Sequence, residues 1–176
     1  MQVLIKNVRI CTDTAAGEPT DLLIRDGRIQ AVGKNLPAES GAGVWDFGPE
    51  AFVSIGWMDI GAHTGDPGYE HREDLQTLSR AAAAGGFTAV ACFPNTLPAV
   101  DSKSGVVYIQ NKTAGSPVSF FPVGTISNHA EGKDLAELYD MHQAGAVAFS
   151  DGNKPVQDAG LLLRALQYVK AFNGLV

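Results

Sequence analysis

Hydrophobic and polar residues alternate over roughly the first fifty positions, which is the pattern of half-buried β-strands. We predict strands over residues 3–10, 21–25 and 28–32, and a short strand at residues 44–47. Asp26-Gly27 separates the second and third of these strands. An Asp-Gly pair between alternating hydrophobic residues is typical of a two-residue hairpin turn, because both central residues need a positive φ. The first part of the chain is therefore predicted to be a small β module.

From about residue 52 the pattern changes to a repetition of strand, loop and helix. Continuous hydrophobic runs predict buried strands at residues 53–60, 88–93, 118–123 and 146–149. Helical spacing predicts helices over residues 70–84, 134–143 and 158–172, and a further helix that Ser102 begins. Buried strands that alternate with helices imply a parallel sheet with right-handed crossovers.

The predicted fold class is α/β, with a β module over residues 1–51 and four βα units over residues 52–176. Residues 175–176 have the pattern of the start of a fifth strand. A closed barrel of eight βα units takes about 250 residues, so these units correspond to the first half of such a barrel, truncated at strand five. A half-barrel leaves the strand at residues 146–150 with an unpaired edge. We therefore expect a homo-oligomer, or contact with segments outside this sequence.

Composition places the chain among soluble globular proteins and narrows its partners. Hydrophobic residues make up 45% of the sequence, and the net charge is −6 without a cluster of Lys or Arg. This argues against nucleic acid or an anionic membrane as the main partner. Cys11 and Cys92 both lie in hydrophobic runs, which indicates buried thiols in a reducing compartment. Without a signal peptide or a run approaching the roughly 20 residues that span a bilayer, the sequence predicts a cytoplasmic protein.

Polar residues that could carry chemistry follow each of the four predicted barrel strands. They are His63, Asn95, His129 and Asp151. In parallel α/β folds the carboxyl ends of the strands meet at one rim, and imidazole and carboxylate groups there are the materials of a metal-assisted hydrolase. Each residue also has a plain structural interpretation. Asn95 and Asp151 fit ordinary turns, His63 fits a hydrogen-bonded structural imidazole, and His129 fits an exposed loop.

Several motifs, in the correct order and over nearly the whole chain, resemble the dihydroorotases. The motifs are residues 52–59, His63, Asp66-Pro67-Gly68, Glu73, residues 81–87, Phe93-Pro94-Asn95-Thr96 and residues 145–151. The opening strand and the hairpin are similar to the β-sandwich attached to cyclic amidohydrolase barrels of the (β/α)8 TIM type. The resemblance implies a zinc-dependent hydrolase of pyrimidine biosynthesis that interconverts carbamoyl aspartate and dihydroorotate. By position, it implies that His63 and Asp151 are metal ligands and that Asn95 binds the substrate. Asp151, where other members carry a carbamylated lysine, indicates the branch that accompanies aspartate transcarbamoylase.

Two glycines depart from the family motif His-x-His-x-Arg. Gly61 stands where the first metal-binding histidine is expected, and Gly65 stands where the arginine that pairs with the substrate carboxylate is expected. We expect no neighbouring group to replace that guanidinium. Losing a bidentate charged contact costs on the order of 10³-fold in rate. The sequence therefore predicts that no residue here is catalytic, that zinc is absent or weakly bound, and that dihydroorotase activity is impaired or lost.

Three hypotheses remain open. In the first, the chain is a decayed dihydroorotase homologue, and since inactive homologues serve as structural partners of aspartate transcarbamoylase, its role is scaffolding. In the second, a hydrolase of another cyclic amide uses His63, His129 and Asp151 in a rebuilt mononuclear metal site. In the third, the sequence is a fragment without a function of its own.

Overall fold

The computed structural model describes residues 2–12 and 14–176 and divides the chain into two units. The first unit ends at Ile55 and the second spans Gly56–Val176. Among the described residues, no helix is long and apolar enough to cross a membrane.

The first unit is one four-stranded mixed sheet, a single layer of the predicted sandwich. Its strands are β1 (Gln2–Ile10), β2 (Thr20–Arg25), β3 (Arg28–Gly33) and β4 (Gly43–Val53), in the order β3-β2-β1-β4. β1 pairs antiparallel with β2 and parallel with β4. The predicted hairpin turn is confirmed, since Asp26 and Gly27 have φ values of 49° and 76°. Val3, Leu4, Val8 and Leu22 are the buried hydrophobic residues of this sheet.

The second unit is a curled parallel sheet with a helix after each strand, which is the predicted half-barrel. The strands are β5 (Trp57–Ala62), β6 (Phe87–Cys92), β7 (Ser119–Gly124) and β8 (Ala148–Phe149), paired in chain order. The helices are α1 (Leu75–Ala84), α2 (Lys103–Lys112), α3 (Leu138–Gln143) and α4 (Ala159–Val169). Buried residues of the helices, among them Leu75, Ile109 and Leu138, pack with Phe149 in the main hydrophobic core.

Several predicted boundaries were wrong, among them those of the run at 53–60 and the starts of α1 and α3. The run at 53–60 is divided between the end of β4 and the start of β5, with residues 54–56 in neither strand. α1 begins at Leu75 rather than at residue 70, because Asp74 caps it by accepting hydrogen bonds from the amides of Gln76 and Thr77. α3 begins at Leu138 rather than at residue 134, because Leu135 pairs back with Ser127 in an isolated β-bridge.

The ends of the half-barrel behave differently. On β5, Trp57 and Ile60 are 65% and 76% exposed, so hydrophobic side chains of this edge strand remain uncovered. At the other end, the amide of Phe149 in β8 donates to the carbonyl of Leu175, 2.9 Å away, so the predicted fifth-strand residues lie beside β8. Cys11 is half-buried and Cys92 fully buried, and burial raises the pKa of the Cys92 thiol to about 12.

Candidate functional site

A cavity of about 820 Å³ lies where loops follow β5, β6, β7 and β8. Three of the residues singled out from the sequence line it: His63, Asn95 and His129. Asp151 is not among the lining residues and is only 2% exposed. The structure thus brings three of the four candidates to one cavity and buries the fourth beneath its rim.

His63 follows the last residue of β5 directly and is exposed. Its ring packs edge-on against Phe93, with the ring centroids 5.1 Å apart. No hydrogen bond or ion pair of its imidazole is found within the described part of the chain. The described contacts therefore do not support the interpretation of His63 as a hydrogen-bonded structural imidazole, and its ring nitrogens are free to contact a ligand.

Asn95 joins the loop after β6 to the segment that follows β8, residues 150–158, which we call the β8 loop. Its amide nitrogen donates to the carbonyl of Asp151 at 3.0 Å, and its amide oxygen accepts from the amide of Asn153 at 3.2 Å. Gly152 makes this approach possible, because a Cβ at that position would overlap the Asn95 amide oxygen. Both polar atoms of the Asn95 side chain are thus already engaged by backbone.

The Asp151 carboxylate is held inward by three donors. Oδ1 accepts from the amides of Ile126 and Ser127, at 2.8 and 3.0 Å, and Oδ2 accepts from the Ser127 hydroxyl at 2.6 Å. The same hydroxyl accepts from the amide of Gly132 at 2.7 Å. Three hydrogen bonds compensate the burial of a carboxylate, so Asp151 fastens the loop after β7 to the β8 loop.

The two glycines of the degenerate motif have different surroundings. At Gly61 an added Cβ would lie 3.6 Å from ring atoms of Phe93, an ordinary van der Waals contact. At Gly65 it would overlap the carbonyl oxygen of Tyr69 and lie 2.7 Å from that of Glu73. Backbone carbonyls cannot rotate away as a flexible side chain can. The structure therefore has space for a side chain at position 61 and none at position 65.

Residues 63–74, which we call the β5 loop, fold around Gly65 through backbone hydrogen bonds. The Gly65 amide donates to the Glu73 carbonyl at 2.8 Å, and the Tyr69 amide donates to the Gly65 carbonyl at 2.5 Å. The buried Asp66 anchors this loop to α2, where the Tyr108 hydroxyl donates to Oδ1 at 2.7 Å and Lys112 Nζ lies 2.8 Å from Oδ2. These contacts with Asp66 and Tyr108 raise the pKa of Lys112.

His129 is positioned by Asp101, a residue that the sequence analysis did not single out. Oδ2 of Asp101 accepts from the His129 amide at 3.0 Å and lies 2.9 Å from Nδ1 of the ring. The His129 side chain is 73% exposed, as its loop position predicted, and its backbone has a φ of 55°. Asp101 directly precedes Ser102, the N-cap of α2. An acidic residue there is ordinary for the start of a helix, so the sequence offered no reason to assign Asp101 to the site.

Two cations line the same cavity as Gly65, where the expected guanidinium is missing. Arg72 lies over the Tyr69 ring, with Cζ 4.9 Å from its centroid, and Lys154 lies in the β8 loop. Within the described residues neither has an ion-pair partner. Of the acidic residues that line the cavity, Glu131 pairs with Lys133 at 2.9 Å and Glu73 accepts from the Thr77 hydroxyl. Arg72 and Lys154 could have been noticed only from the folded arrangement, since neither follows a strand directly.

The donor set does not fit the zinc centre that the family resemblance implies. A catalytic zinc takes three protein ligands and a water. Gly61 has no side-chain atom that could bind a metal ion. The Asp151 carboxylate accepts three hydrogen bonds and does not line the cavity. Of the family's metal-binding positions in this chain, His63 alone presents a ligand atom to the cavity. In the part of the chain that the structure describes, no three His, Cys, Asp or Glu side chains form a group able to hold a metal ion.

Comparison with known proteins agrees with this arrangement of strands and loops. The family model described as dihydro-orotase-like matches residues 52–175. The chain belongs to the dihydro-orotase-like family. Over its full length it is 45% identical to a dihydroorotase of Geobacter sulfurreducens and 43% identical to one of Geotalea daltonii. In both cases it spans 42% of the relative's length.

Solved structures of amidohydrolases share the fold of this dihydro-orotase-like chain. L-Hydantoinase from Arthrobacter aurescens superposes with a TM-score of 0.82 at 24% identity, over 98% of this chain and 39% of that one. A D-hydantoinase gives a TM-score of 0.76 at 28% identity, over 99% of this chain and 39% of that one. The likeness to the first shows the fold alone.

Proposed function

We propose that this chain is a dihydroorotase-like amidohydrolase segment that keeps a ligand cavity and is impaired in catalysis. The observation that carries the proposal is the closed space at Gly65. At the position of the expected substrate-binding arginine, backbone carbonyls of the β5 loop occupy the space that a side chain would need. Loss of the side chain is thus accompanied by a fold that excludes any side chain there.

The expected ligand is a cyclic amide that carries a carboxylate, with dihydroorotate and carbamoyl aspartate as the natural candidates. The relationship to dihydroorotases supports this class, and so do the two cations at the cavity. Asn95 remains the proposed substrate-binding residue, although its amide must exchange a backbone hydrogen bond to reach a ligand. His63 and Asp151 remain the proposed family metal positions, and their surroundings support zinc that is absent or weakly held.

The proposal is tested by incubating the purified chain with dihydroorotate and with carbamoyl aspartate, with and without added zinc, and following both by chromatography. We expect binding without interconversion. The matched control is a dihydroorotase of Geobacter sulfurreducens assayed under the same conditions. Zinc-dependent turnover by this chain at a rate comparable to the control would contradict the proposal.

A structural role beside aspartate transcarbamoylase is a second candidate. The uncovered hydrophobic side chains of β5, Trp57 and Ile60, favour a role in which a partner or a second copy covers them. Sedimentation of the chain alone and mixed with purified aspartate transcarbamoylase tests this. A new faster-sedimenting species in the mixture supports the scaffold, whereas additive profiles argue against it. The rebuilt mononuclear site with His63, His129 and Asp151 has less support, because Asp151 does not line the cavity.

A further inference from the structure

The His129 imidazole has one nitrogen fixed and one free. An ionised carboxylate only accepts hydrogen bonds, so Nδ1, which lies 2.9 Å from Asp101 Oδ2, carries the proton of the neutral ring. That proton placement leaves the lone pair on Nε2. Within the described residues Nε2 has no partner, and His129 lines the cavity. The ring therefore offers an oriented hydrogen-bond acceptor at the rim.

The backbone that carries this ring is held in an unfavourable conformation. His129 and Ala130 have φ values of 55° and 52°, in the left-handed region that favours glycine. Several contacts maintain it: the His129 amide donates to Asp101, and Ser127 is bonded to both the buried Asp151 and the amide of Gly132. Strain of this kind persists where the surrounding structure enforces it, and it is concentrated at functional sites.

We propose that the Asp101–His129 pair is a ligand-binding element of the cavity, in which Nε2 accepts a hydrogen bond from an N–H of the ligand. Asp101 is the positioning residue, and it fixes both the proton and the orientation of the ring. Asp151 contributes indirectly, because its hydrogen bonds to Ile126 and Ser127 hold the loop that carries His129. The inference rests on the proposed function, since it concerns the same cavity and deepens the description of its ligand.

The charges at the cavity define the rest of the ligand. Arg72 and Lys154 have no ion-pair partner in the described part of the chain, whereas Glu131 is paired with Lys133. A ligand that complements this arrangement has an N–H donor for Nε2 and a carboxylate for the cations. A cyclic amide acid has both groups, and a simple dicarboxylate such as succinate has only the second.

The experiment measures dihydroorotate binding by calorimetry at pH 8 for the wild type and for His129→Gly. Glycine adopts the left-handed backbone conformation without strain, so we expect the variant to unfold at a higher denaturant concentration than the wild type. Because glycine also removes the imidazole, we expect the variant to bind dihydroorotate at least about ten-fold more weakly. A merely structural His129 would not separate these two readouts. His71→Ala is the matched control, because His71 is exposed and does not line the cavity.

Two further readouts sharpen the test. Succinate binding should be unchanged by His129→Gly and weakened by Arg72→Gln. In the wild type, dihydroorotate should shift the ¹⁵N resonance of His129 Nε2, and Asp101→Asn should change the tautomer balance that this resonance reports. Equal dihydroorotate affinity in wild type and His129→Gly, or no dihydroorotate binding by the wild type, would overturn the inference. Turnover in the same samples would overturn the proposed function and leave this inference standing.

Discussion

The β5 loop and the β8 loop both follow barrel strands, but their candidate functional positions have different surroundings. In the β5 loop the expected arginine is absent, and backbone from Tyr69 and Glu73 occupies the space at Gly65. In the β8 loop the expected carboxylate of Asp151 is present, but it is turned inward onto three donors. The β5 loop lacks the expected guanidinium, and the β8 loop has the expected carboxylate in a structural contact.

This difference separates an absent side chain from a retained side chain that has a structural role. A missing side chain can be restored by one substitution only if the backbone has left room for it. A retained side chain with a structural role cannot regain its earlier role without breaking the contacts that it now makes. The two glycines of the motif differ in the same respect, since position 61, at the end of β5, has room for a Cβ and position 65, in the β5 loop, has none.

The largest effect is expected from Gly65→Arg. Any side chain at this position meets backbone carbonyls, so we expect a loss of about 3 kcal/mol in the free energy of unfolding and no gain in substrate binding. Urea unfolding followed by circular dichroism measures it. A variant that is as stable as the wild type and binds dihydroorotate more tightly would show that the loop still accepts the arginine.

Lys112→Met tests the anchor of the β5 loop. It leaves the fully buried Asp66 carboxylate without its cation, and we expect a loss of about 2 kcal/mol, less than for a fully buried pair because the Lys112 side chain is 38% exposed. The control is Lys133→Met, which removes a pair exposed on both sides and should have little effect on the free energy of unfolding. Equal losses in the two variants would contradict the anchor.

The Lys112 contact also predicts a pH dependence. Because the pKa of Lys112 is raised on folding, its contribution is fully present below the ordinary value of 10.5 and is lost as the pH rises through the higher folded value. As the pH rises through this range, the difference in the free energy of unfolding between the wild type and Lys112→Met should therefore disappear. An advantage that stays constant into that range would argue against the pairing.

Ser127→Ala tests the fastening of the β8 loop. It removes one donor to the buried Asp151 and the acceptor for the Gly132 amide, and we expect a loss of about 1–2 kcal/mol. Ser104→Ala is a suitable comparison, because Ser104 is exposed and bonds only to the neighbouring Ser102. If both variants unfold at the same denaturant concentration, the inward hydrogen bonds of Asp151 contribute little.

A small effect on stability is expected from Gly61→His. The open surroundings should keep the change below about 1 kcal/mol. A Cβ at position 61 and the His63 ring both contact Phe93, so the variant should bring two imidazoles together. We expect zinc to raise its melting temperature while leaving that of the wild type unchanged. If zinc changed the melting temperatures of Gly61→His and the wild type equally, the side chain at position 61 would not lie beside His63.

Much of the fold followed from sequence because hydrophobic pattern and turn chemistry agreed there. The Asp26-Gly27 hairpin and the order of the four βα units are examples. An error occurred at Leu135, where pairing between distant backbone segments determines the local structure. Its bridge to Ser127 makes α3 begin at Leu138 instead of residue 134. Neighbouring residues in the sequence do not report such long-range pairing.

The candidate site was less predictable. His63 and Asn95 were found because they follow strands, and strand ends meet at one rim. Asp101 and Arg72 were missed because their contacts arise only when separate loops meet. The closed space at Gly65 was also hidden, since it depends on carbonyls that lie four and eight residues further along the chain.

The most direct test compares Gly65→Ala with Gly61→Ala in equilibrium unfolding, since each adds one methyl group to a glycine of the same motif. We predict that Gly65→Ala lowers the free energy of unfolding by about 2 kcal/mol or more, while Gly61→Ala changes it by less than about 0.5 kcal/mol. Equal and small changes would show that position 65 is open. The β5 loop would then be an unchanged loop that merely lacks its arginine.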